Sequence, residues 1–459
     1  MSIAETSRAS SDQSGRFPLS HTQNFLRLFD QGDDAGPFSA RYNIVVGWRI
    51  RGRIDVETLQ GAMDDVVARH DSLRTLISRG EGVGYQEIHP PTSPTLWVRD
   101  LPASEQDERQ LRTEELLRDI EAGSYDAHEL PHLRAVLARF DEQDSLFVLI
   151  VHHTSSDGWS MQLLVRDIAI YYARRKGLPA PDFPPMRAYQ EYARWQHDNT
   201  TDESLEFSRD YWRQKLDGAE ILAITTDQPR SANLEKVSPV HRFVIPEELT
   251  AATLALAKSM RSSPFMVLLA AYNVLLHRMT DATDLVVPTL TSGRNEPQFQ
   301  ETVGPFFNFI PLRTDISGCE TFREVADRTR MTCLEAYSYD IPFPQILGEA
   351  PTLMAPLAED RLAACAFQVW QFSTVMEREL IGDLELSEVR GRTLSQHNGT
   401  DIPDGALFTL DIDPSGRIFG NLAYNNNLFD ETSMVALAAG FSELLGKVVP
   451  VPDAPLKDI

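Results

Sequence analysis

Two adjacent histidines and an aspartate are the residues in this chain whose types and spacing could do chemistry. They lie in the string VHHTSSDGWS as His152, His153 and Asp157, and Gly158 follows them. A neutral imidazole near pH 7 can take a proton from an attacking nucleophile, which makes a histidine the natural general base. A carboxylate further along can orient the loop by pairing with a cation, and a glycine lets the backbone approach a ligand closely. The string therefore indicates proton-transfer chemistry.

The flanking sequence places these residues on a loop between a strand and a helix. The apolar run LFVLIV at 146–151 predicts a buried β-strand, and residues 161–175 repeat apolar side chains at helical spacing. Short loops on a rigid scaffold commonly carry catalytic residues.

Two other interpretations of the string remain. A histidine at a strand end is often a hydrogen-bonded core residue, and an HxxxD spacing arises by chance. A zinc site formed by His152, His153 and Asp157 is less favoured, because adjacent side chains after a strand diverge and no third strong ligand lies nearby.

Length and composition limit the classes of protein to which the chain can belong. The chain has 459 residues, which predicts two or three domains, and its hydrophobic content of 42% is enough for full cores. No run approaches the roughly 20 apolar residues of a membrane span. Residues 1–15 are polar and lack an apolar signal core, so we predict a flexible tail, a cytoplasmic protein and no membrane partner.

Charge and cysteine content exclude further classes. The net charge of −24 argues against a nucleic-acid partner. The three cysteines have no CxxC spacing, and they predict neither a disulfide framework nor a cysteine nucleophile beside the histidines.

Strands and helices alternate along the rest of the chain and predict an α/β protein. Strands are expected at 42–50, 83–89 and 95–99, a β-hairpin at 407–425 turning at Pro414–Gly416, and helices at 54–68 (with Asp55 as N-cap), 104–122, 203–216, 247–261, 264–279 and 431–448. A proline-rich crossing at 177–186 suggests a boundary between a first subdomain, 16–180, and a second, 181–459.

Several strings resemble, in order, the motifs of nonribosomal peptide synthetase condensation domains and their chloramphenicol acetyltransferase-like relatives. The signature HHxxxDG matches residues 152–158, and the other matching strings are SHTQNFL at 20–26, ARHDSLRTLI at 68–77, YQEYARWQ at 189–196, VGPFFNFIPLR at 303–313 and YDIPFPQI at 339–346. His21, Asn24 and Pro344 depart from the family pattern, and the seventh motif is not recognisable.

The resemblance implies an α/β (α+β sandwich) fold, in which two acetyltransferase-like subdomains form a V with a tunnel between them. It implies that His153 carries the chemistry and that His152 supports it, with its ring turned away from the tunnel. Asp157 would form a structural ion pair with Arg294, which follows Gly293 in the second subdomain. The alternative is that Asp157 only caps the following helix.

Five further residues are candidates for lining the tunnel, namely Ser20, Gln23, Trp159, Asn308 and Trp370. For Ser20 the alternative is an N-cap of an amphipathic helix. Neither a bound cofactor nor a metal is expected.

The implied activity is that of a free-standing condensation enzyme, since neither an adenylation domain nor a carrier sequence is recognisable. The donor would be an (amino)acyl thioester on the 4'-phosphopantetheine of a discrete peptidyl carrier protein, which binds transiently. The acceptor would be a small molecule with a hydroxyl or amine, which gives an ester or an amide. A narrower resemblance is to the free-standing enzymes of enediyne antibiotic pathways, which join a carrier-bound β-amino acid to the enediyne core. An acyl-CoA-dependent acyltransferase and a non-catalytic carrier-docking module remain as alternatives.

Carrier proteins are generally acidic, and so is this chain, so docking requires a local basic patch. The candidates are Arg16 and Arg27 near the N-terminus and Arg174, Arg175 and Lys176 at the end of the helix after the histidine motif. For Arg174 and Arg175 the alternative is that they only solvate the helix end and complement its dipole.

Overall fold

The computed structural model describes residues 16–80, 82–371 and 376–458, so the tail predicted at 1–15 lies outside the described residues. The helices of this part of the chain are α1 (His21–Leu28), α2 (Val56–Arg69), α3 (Gln106–Glu121), α4 (Gly158–Arg175), α5 (Tyr189–Asn199), α6 (Asp202–Lys215), α7 (Glu247–Ser259), α8 (Pro264–Thr280), α9 (Phe322–Ser338), α10 (Phe343–Glu349) and α11 (Glu431–Val448).

The strands of the same residues form two large and two small sheets. They are β1 (Arg16–Pro18), β2 (Asn43–Arg51), β3 (Thr75–Ser78), β4 (Tyr85–Ile88), β5 (Thr95–Asp100), β6 (Leu133–Arg139), β7 (Asp144–His152), β8 (Ala223–Thr225), β9 (Val240–Val244), β10 (Asp284–Thr291), β11 (Asn308–Asp315), β12 (Leu362–Trp370), β13 (Glu379–Ile381), β14 (Leu384–Glu388), β15 (Ala406–Ile412) and β16 (Ile418–Tyr424).

The first large sheet has the order β13-β14-β2-β7-β6-β5 and carries the histidine loop at the end of β7. Every residue of β7 is buried. Alternate side chains of β7 pack against α2 and α4 on one face and against α3 on the other, which explains its continuous apolar run. The predicted strand and the helix after the loop are therefore both present.

The second large sheet has the order β8-β12-β15-β16-β9, and the small pair β10-β11 lies beside it. The core beside this five-stranded sheet contains α8 and α11. Nearly the whole length of α8 is buried, which explains its apolar character. Asp55 caps α2 as predicted, with its carboxylate accepting from the amide of Thr58. The hairpin β15–β16 turns where Pro414–Gly416 predicted it.

The two halves of the chain exchange elements. The hairpin β13–β14 comes from the second half but joins the first sheet, where Leu386 pairs with Ile50 of β2. In the other direction, Phe25 and Leu26 of α1 pack into the core of the second sheet. The contiguous division at residue 180 did not anticipate this exchange. No helix formed by the described residues has the length and apolar character needed to cross a membrane.

Candidate active site

His153 lies one residue beyond the end of β7, and two aromatic rings contact its imidazole. Its amide donates to the carbonyl of Tyr42 at 2.9 Å, which continues the β2–β7 ladder by one bond. The ring stacks on Tyr42 with centroids 4.8 Å apart, and Phe307 meets it edge-on at 5.7 Å. These contacts fix the plane of the imidazole.

The hydrogen bonding of His153 decides which nitrogen is available. Nδ1 lies 3.0 Å from the carbonyl oxygen of Ser156, and because a carbonyl can only accept, Nδ1 carries the proton. Nε2 has no hydrogen-bond partner among the described residues and presents a lone pair. Burial lowers the pKa of His153 below its usual value, which keeps the ring neutral at pH 7. The arrangement leaves Nε2 able to accept a proton.

His152 differs because both of its ring nitrogens are used. Nε2 donates to the carbonyl of Ser39 at 3.1 Å, and Nδ1 accepts from the hydroxyl of Thr154 at 2.7 Å. The ring is fully buried beside His132, and burial lowers its pKa well below the usual range. His152 is therefore a neutral internal residue that holds the start of the loop.

Asp157 begins α4 and also forms the ion pair predicted across the two halves. Its Oδ1 accepts from the amide of Ser160 at 2.7 Å, as an N-cap does. The guanidinium of Arg294 binds both carboxylate oxygens, at 2.9 and 3.1 Å, and the amide of Phe306 donates to Oδ2 at 3.2 Å. The sequence offers the ion pair and the helix cap as alternatives, and one carboxylate serves both.

Arg294 uses all five of its N–H donors. Besides the two bonds to Asp157, Nη1 donates to the carbonyls of Phe299 and Thr302, and Nη2 donates to the hydroxyl of Ser160. The preceding Gly293 has φ +61°, and a Cβ there would lie 3.2 Å from the backbone at Phe306. A glycine at this position therefore allows the Arg294 loop to approach the 304–307 segment.

Ser20 and Gln23 serve α1 itself. The Ser20 hydroxyl accepts from the amide of Gln23, and the Gln23 side chain accepts from the amide of Ser20, which is a complete capping box. The Ser20 hydroxyl also donates to the Tyr189 hydroxyl, which in turn donates to the carbonyl of Pro305. The N-cap alternative for Ser20 is thus present, and the tunnel-lining role of both residues stays a prediction.

The other tunnel candidates lie in three separate places. Asn308 donates to the carboxylate of Asp340 and accepts from the amide of Phe343, so its amide group clamps the start of α10. Trp159 donates to the carbonyl of Gln300 at 3.0 Å. Trp370 ends β12 and pairs in register with Asp411 of β15. Their role toward a substrate stays a prediction.

The basic residues proposed for carrier docking separate into two groups. Arg174, Arg175 and Lys176 each bind an acidic partner, which are Asp182, Asp65 and Asp383 respectively. Arg27 donates to the carbonyl of Gly82, and Arg16 lies over the ring of Tyr85. Among the described residues, neither Arg16 nor Arg27 has an acidic partner.

Tyr42, Phe307 and Ser160 are residues of this site that the sequence analysis did not identify. Phe307 lies inside the matched string at 303–313, so that resemblance carried a usable signal. Tyr42 reaches the histidine only through strand pairing, which single-sequence patterns do not register. Within the part of the chain that the structure describes, no three His, Cys, Asp or Glu side chains are grouped as a metal site requires.

The comparisons with known proteins match the chain over almost its whole length. A family model described as the condensation domain covers residues 13–459. A linear gramicidin synthase polypeptide from Brevibacillus parabrevis is 32% identical over 446 residues, which is 96% of this chain and 8% of that protein. Phosphinothricin tripeptide synthetase PhsC of Streptomyces viridochromogenes is 30% identical over 96% of this chain and 40% of that protein. The chain thus spans less than a tenth of the gramicidin synthase polypeptide.

Solved structures give the same fold. The SgcC5 protein from Streptomyces globisporus, in complex with (R)-(-)-1-(2-naphthyl)-1,2-ethanediol and sucrose, superposes with a TM-score of 0.93 at 45% identity, over 96% of this chain and 100% of that one. The first condensation domain of the calcium-dependent antibiotic synthetase, 20% identical, matches with a TM-score of 0.77 over 98% of this chain and 99% of that one. The fold predicted from the motifs, with two acetyltransferase-like subdomains, is confirmed, and the chain belongs to the condensation domain family.

Proposed function

We propose that the chain transfers an acyl group from a thioester to a hydroxyl or amine of a small-molecule acceptor, with Nε2 of His153 as the general base. The observation that carries this proposal is the tautomer of His153. The Ser156 carbonyl holds the proton on Nδ1, and Nε2 has no partner among the described residues. A ring held in this way can accept a proton without first losing one.

The steps balance without any further reactant. Nε2 of His153 takes the proton of the acceptor hydroxyl as its oxygen attacks the thioester carbonyl. The tetrahedral intermediate collapses, the carbon–sulfur bond breaks, and the proton on Nε2 passes to the departing thiolate. One ester bond forms and one thioester bond is lost, and with an amine acceptor the product is an amide.

The surrounding residues position His153 in this proposal. Asp157 and Arg294 tie the loop to the second half of the chain, His152 holds its first turn, and Gly158 starts α4 directly after the loop. Trp159 and Trp370 remain candidates for contact with substrate.

We further propose that the donor is held on the 4'-phosphopantetheine arm of a separate peptidyl carrier protein. Family membership supports this, because the matched relatives are peptide synthetases. The similarity to SgcC5, which was solved with an aryl-1,2-diol, favours an acceptor hydroxyl and therefore an ester product. An acyl-CoA donor is the competing possibility.

The test compares donors on the same acceptor. A β-phenylalanyl group is offered on a carrier protein and, separately, on coenzyme A, with 1-(2-naphthyl)-1,2-ethanediol as the acceptor probe. We expect transfer from the carrier-bound donor to exceed transfer from coenzyme A. His153→Ala should lower kcat/KM by about 10² to 10⁴, which is the usual contribution of a general base. His128→Ala, at an exposed histidine, is the matched control.

Three outcomes would contradict parts of this proposal. Equal turnover of the coenzyme A donor would assign an acyl-CoA enzyme. Full activity of His153→Ala would remove the histidine from the chemistry. Carrier binding without any transfer by the unmodified protein would indicate a docking module.

A further inference from the structure

Tyr42 carries a polar group against the ring of His153, and none of the proposed steps uses it. The two residues face each other where the β2–β7 ladder ends, since the amide of His153 donates to the carbonyl of Tyr42 at 2.9 Å. Their rings are nearly parallel, at 16°, with centroids 4.8 Å apart. The phenol therefore lies on one face of the imidazole that the proposed function makes the base.

The hydroxyl of Tyr42 has no hydrogen-bond partner among the described residues, although the residue is only 9% exposed. Buried tyrosine hydroxyls usually bond within the protein, as that of Tyr272 does with the carbonyl of Cys365. The Tyr42 oxygen is not enclosed by the surrounding side chains either, so a ligand can reach it. Tyr42 thus keeps a hydrogen-bond donor free beside the reacting histidine.

The surroundings of Tyr42 keep its proton in place. Burial raises the pKa of the phenol above its usual value, and the negative charge of Asp401 adds to this effect. At pH 7 the group is therefore neutral, and it can donate a hydrogen bond without losing its proton. A donor of this kind stabilises negative charge that develops on a neighbouring oxygen, and it does so most strongly where water is excluded.

We propose that the Tyr42 hydroxyl donates a hydrogen bond to the oxyanion of the tetrahedral intermediate. In the proposed reaction the thioester carbonyl oxygen gains a negative charge when the acceptor attacks, and it loses that charge when the carbon–sulfur bond breaks. The phenol keeps its proton throughout, so the proton balance at His153 is unchanged. This inference rests on the proposed function, because it assigns a second catalytic residue to that reaction.

The stacking distance brings the hydroxyl within reach of the reacting carbon. A phenolic oxygen lies about 3 Å from its ring centre and an imidazole nitrogen about 1 Å from its own, so rings 4.8 Å apart keep the Tyr42 oxygen within about 9 Å of Nε2. With the attacking atom about 2.8 Å from Nε2, the oxyanion forms roughly 5 Å from Nε2, and a donor to it lies up to about 8 Å from Nε2. Because these ranges overlap, Tyr42 and His153 can contact the same tetrahedral centre.

Tyr42→Phe tests this inference, because it removes the hydroxyl and keeps the ring that stacks on His153. With the β-phenylalanyl carrier donor and 1-(2-naphthyl)-1,2-ethanediol, kcat should fall about 10²- to 10³-fold, which is the usual cost of losing one oxyanion donor, while KM changes less than about threefold. The acidic limb of the kcat/KM profile against pH should keep its position, since the hydrogen bond that holds His153 is intact.

Tyr424→Phe is the matched control. Tyr424 is 3% exposed, and its hydroxyl also has no hydrogen-bond partner among the described residues. It lies on β16 in the core of the second sheet and makes no ring contact with His153. This variant should therefore keep both kcat and KM.

A purely structural role for Tyr42 predicts different results. If only the ring matters, Tyr42→Phe keeps its full kcat and the inference is overturned. A shift of the acidic limb would also overturn it, because Tyr42 would then act by positioning His153. Urea denaturation should show Tyr42→Phe to be at least as stable as the unmodified protein, since no internal hydrogen bond is lost. A loss of stability would show that the hydroxyl is bonded within the protein, and the inference would fall.

A binding measurement separates this inference from the proposed function. The probe is the 2-phenylethylphosphonate monoester of 1-(2-naphthyl)-1,2-ethanediol, whose phosphonate group has the charge and shape of the tetrahedral intermediate. We expect Tyr42→Phe to bind this probe at least about tenfold more weakly than the unmodified protein does, and to bind the free diol equally well. If no transfer occurs but this difference is present, the proposed function falls and the oxyanion site stands. If transfer proceeds and the difference is absent, the oxyanion site falls.

Discussion

Two buried clusters of carboxylate and guanidinium groups join the halves of this molecule, and they differ in how completely they are satisfied. In the first, Arg294 uses five donors on five acceptors, and the carboxylate of Asp157 accepts four hydrogen bonds. In the second, Arg390 serves both Glu388 and Asp411, and buried amide oxygens have no donor among the described residues. The first cluster is therefore fully satisfied, whereas the second places two carboxylates on one guanidinium.

The same difference separates the two histidines. Both ring nitrogens of His152 are bonded within the protein, while His153 has one bonded nitrogen and one without a partner among the described residues. Buried polar groups are almost always satisfied in folded proteins. The lack of a partner for Nε2 among the described residues therefore supports a role for His153 in proton transfer, and the complete bonding of His152 supports a structural role.

The largest effect is expected when one partner is removed from each cluster. Asp157→Ala leaves the buried Arg294 uncompensated and should lower the free energy of unfolding by about 3–5 kcal/mol. Asp411→Asn removes a carboxylate whose pKa is raised by burial, so at pH 7.5 it should leave the protein at least as stable as the unmodified one. Urea denaturation of the three proteins measures both.

Equal destabilisation by the two substitutions would break the comparison, because it would mean that the second cluster stabilises the fold as the first cluster does.

The second-largest expected effect is a pH dependence of the free energy of unfolding, which arises from the buried histidines. The ring nitrogens of His132 bond Ser155 and Ala127, and burial lowers the pKa of His132 to about 4. Because the pKa is about 6.5 in the unfolded chain, the unfolded state binds the proton first. Stability is therefore full above pH 6.5 and is lost as the pH falls towards 4, with a slope of roughly 1.4 kcal/mol per pH unit for each such histidine.

Substitution of His132 distinguishes its contribution to the pH dependence of stability from that of the carboxylates that titrate in the same pH range. His132→Asn should be less stable at pH 7.5 but should lose about one histidine's share of the slope. His128→Gln, at an exposed position, should keep the full slope. An unchanged slope in His132→Asn would show that His132 takes up its proton in the folded protein over the same pH range as in the unfolded chain.

Local patterns in the sequence predicted the parts of the site that depend on local structure. The apolar run before the histidines and the helical spacing after them predicted β7, the loop and α4, because strand and helix periods are carried by neighbouring residues. Asp55 at the start of α2 was predicted for the same reason. The ion pair between Asp157 and Arg294 came from the family resemblance, since nothing local connects the two residues.

The exchange of elements between the two halves and the second charged cluster could not be predicted in this way. The pairing of Leu386 with Ile50 depends on strands that are far apart in the chain. The second cluster combines Gln162, Glu388 and Asp411 from three segments, and each residue type alone is typical of a solvated surface. Their burial and unequal pairing arise only from the packing of the two halves.

The smallest expected effect is on the docking of a carrier protein. Here too, arginines that are paired with a carboxylate can be compared with arginines that are not. Arg175 binds Asp65 through two hydrogen bonds, so its charge is neutralised locally. Arg27 has no acidic partner among the described residues. Two exposed apolar side chains lie close to it in sequence or contact: Leu28 (52% exposed) is the next residue, and Val83 (95% exposed) follows Gly82, whose carbonyl accepts from Arg27. This combination suits an acidic partner with apolar residues at its contact.

Charge reversal at the two arginines tests which of them meets the carrier. Arg27→Glu should raise KM for a carrier-bound donor by roughly three- to tenfold, since charges at the rim of an interface act mainly on association. It should leave KM for a short free thioester nearly unchanged.

Arg175→Glu is the control, and it should raise KM for the carrier-bound donor less, because it removes a charge that is already paired with Asp65. If Arg27→Glu slowed both donors equally, the substitution would have damaged α1 or the site, and the docking surface would have to be sought elsewhere. If Arg175→Glu alone raised KM for the carrier-bound donor, an arginine paired within the protein could still bind a carrier. The contrast between satisfied and unsatisfied groups, which holds inside the molecule, would then not extend to its surface.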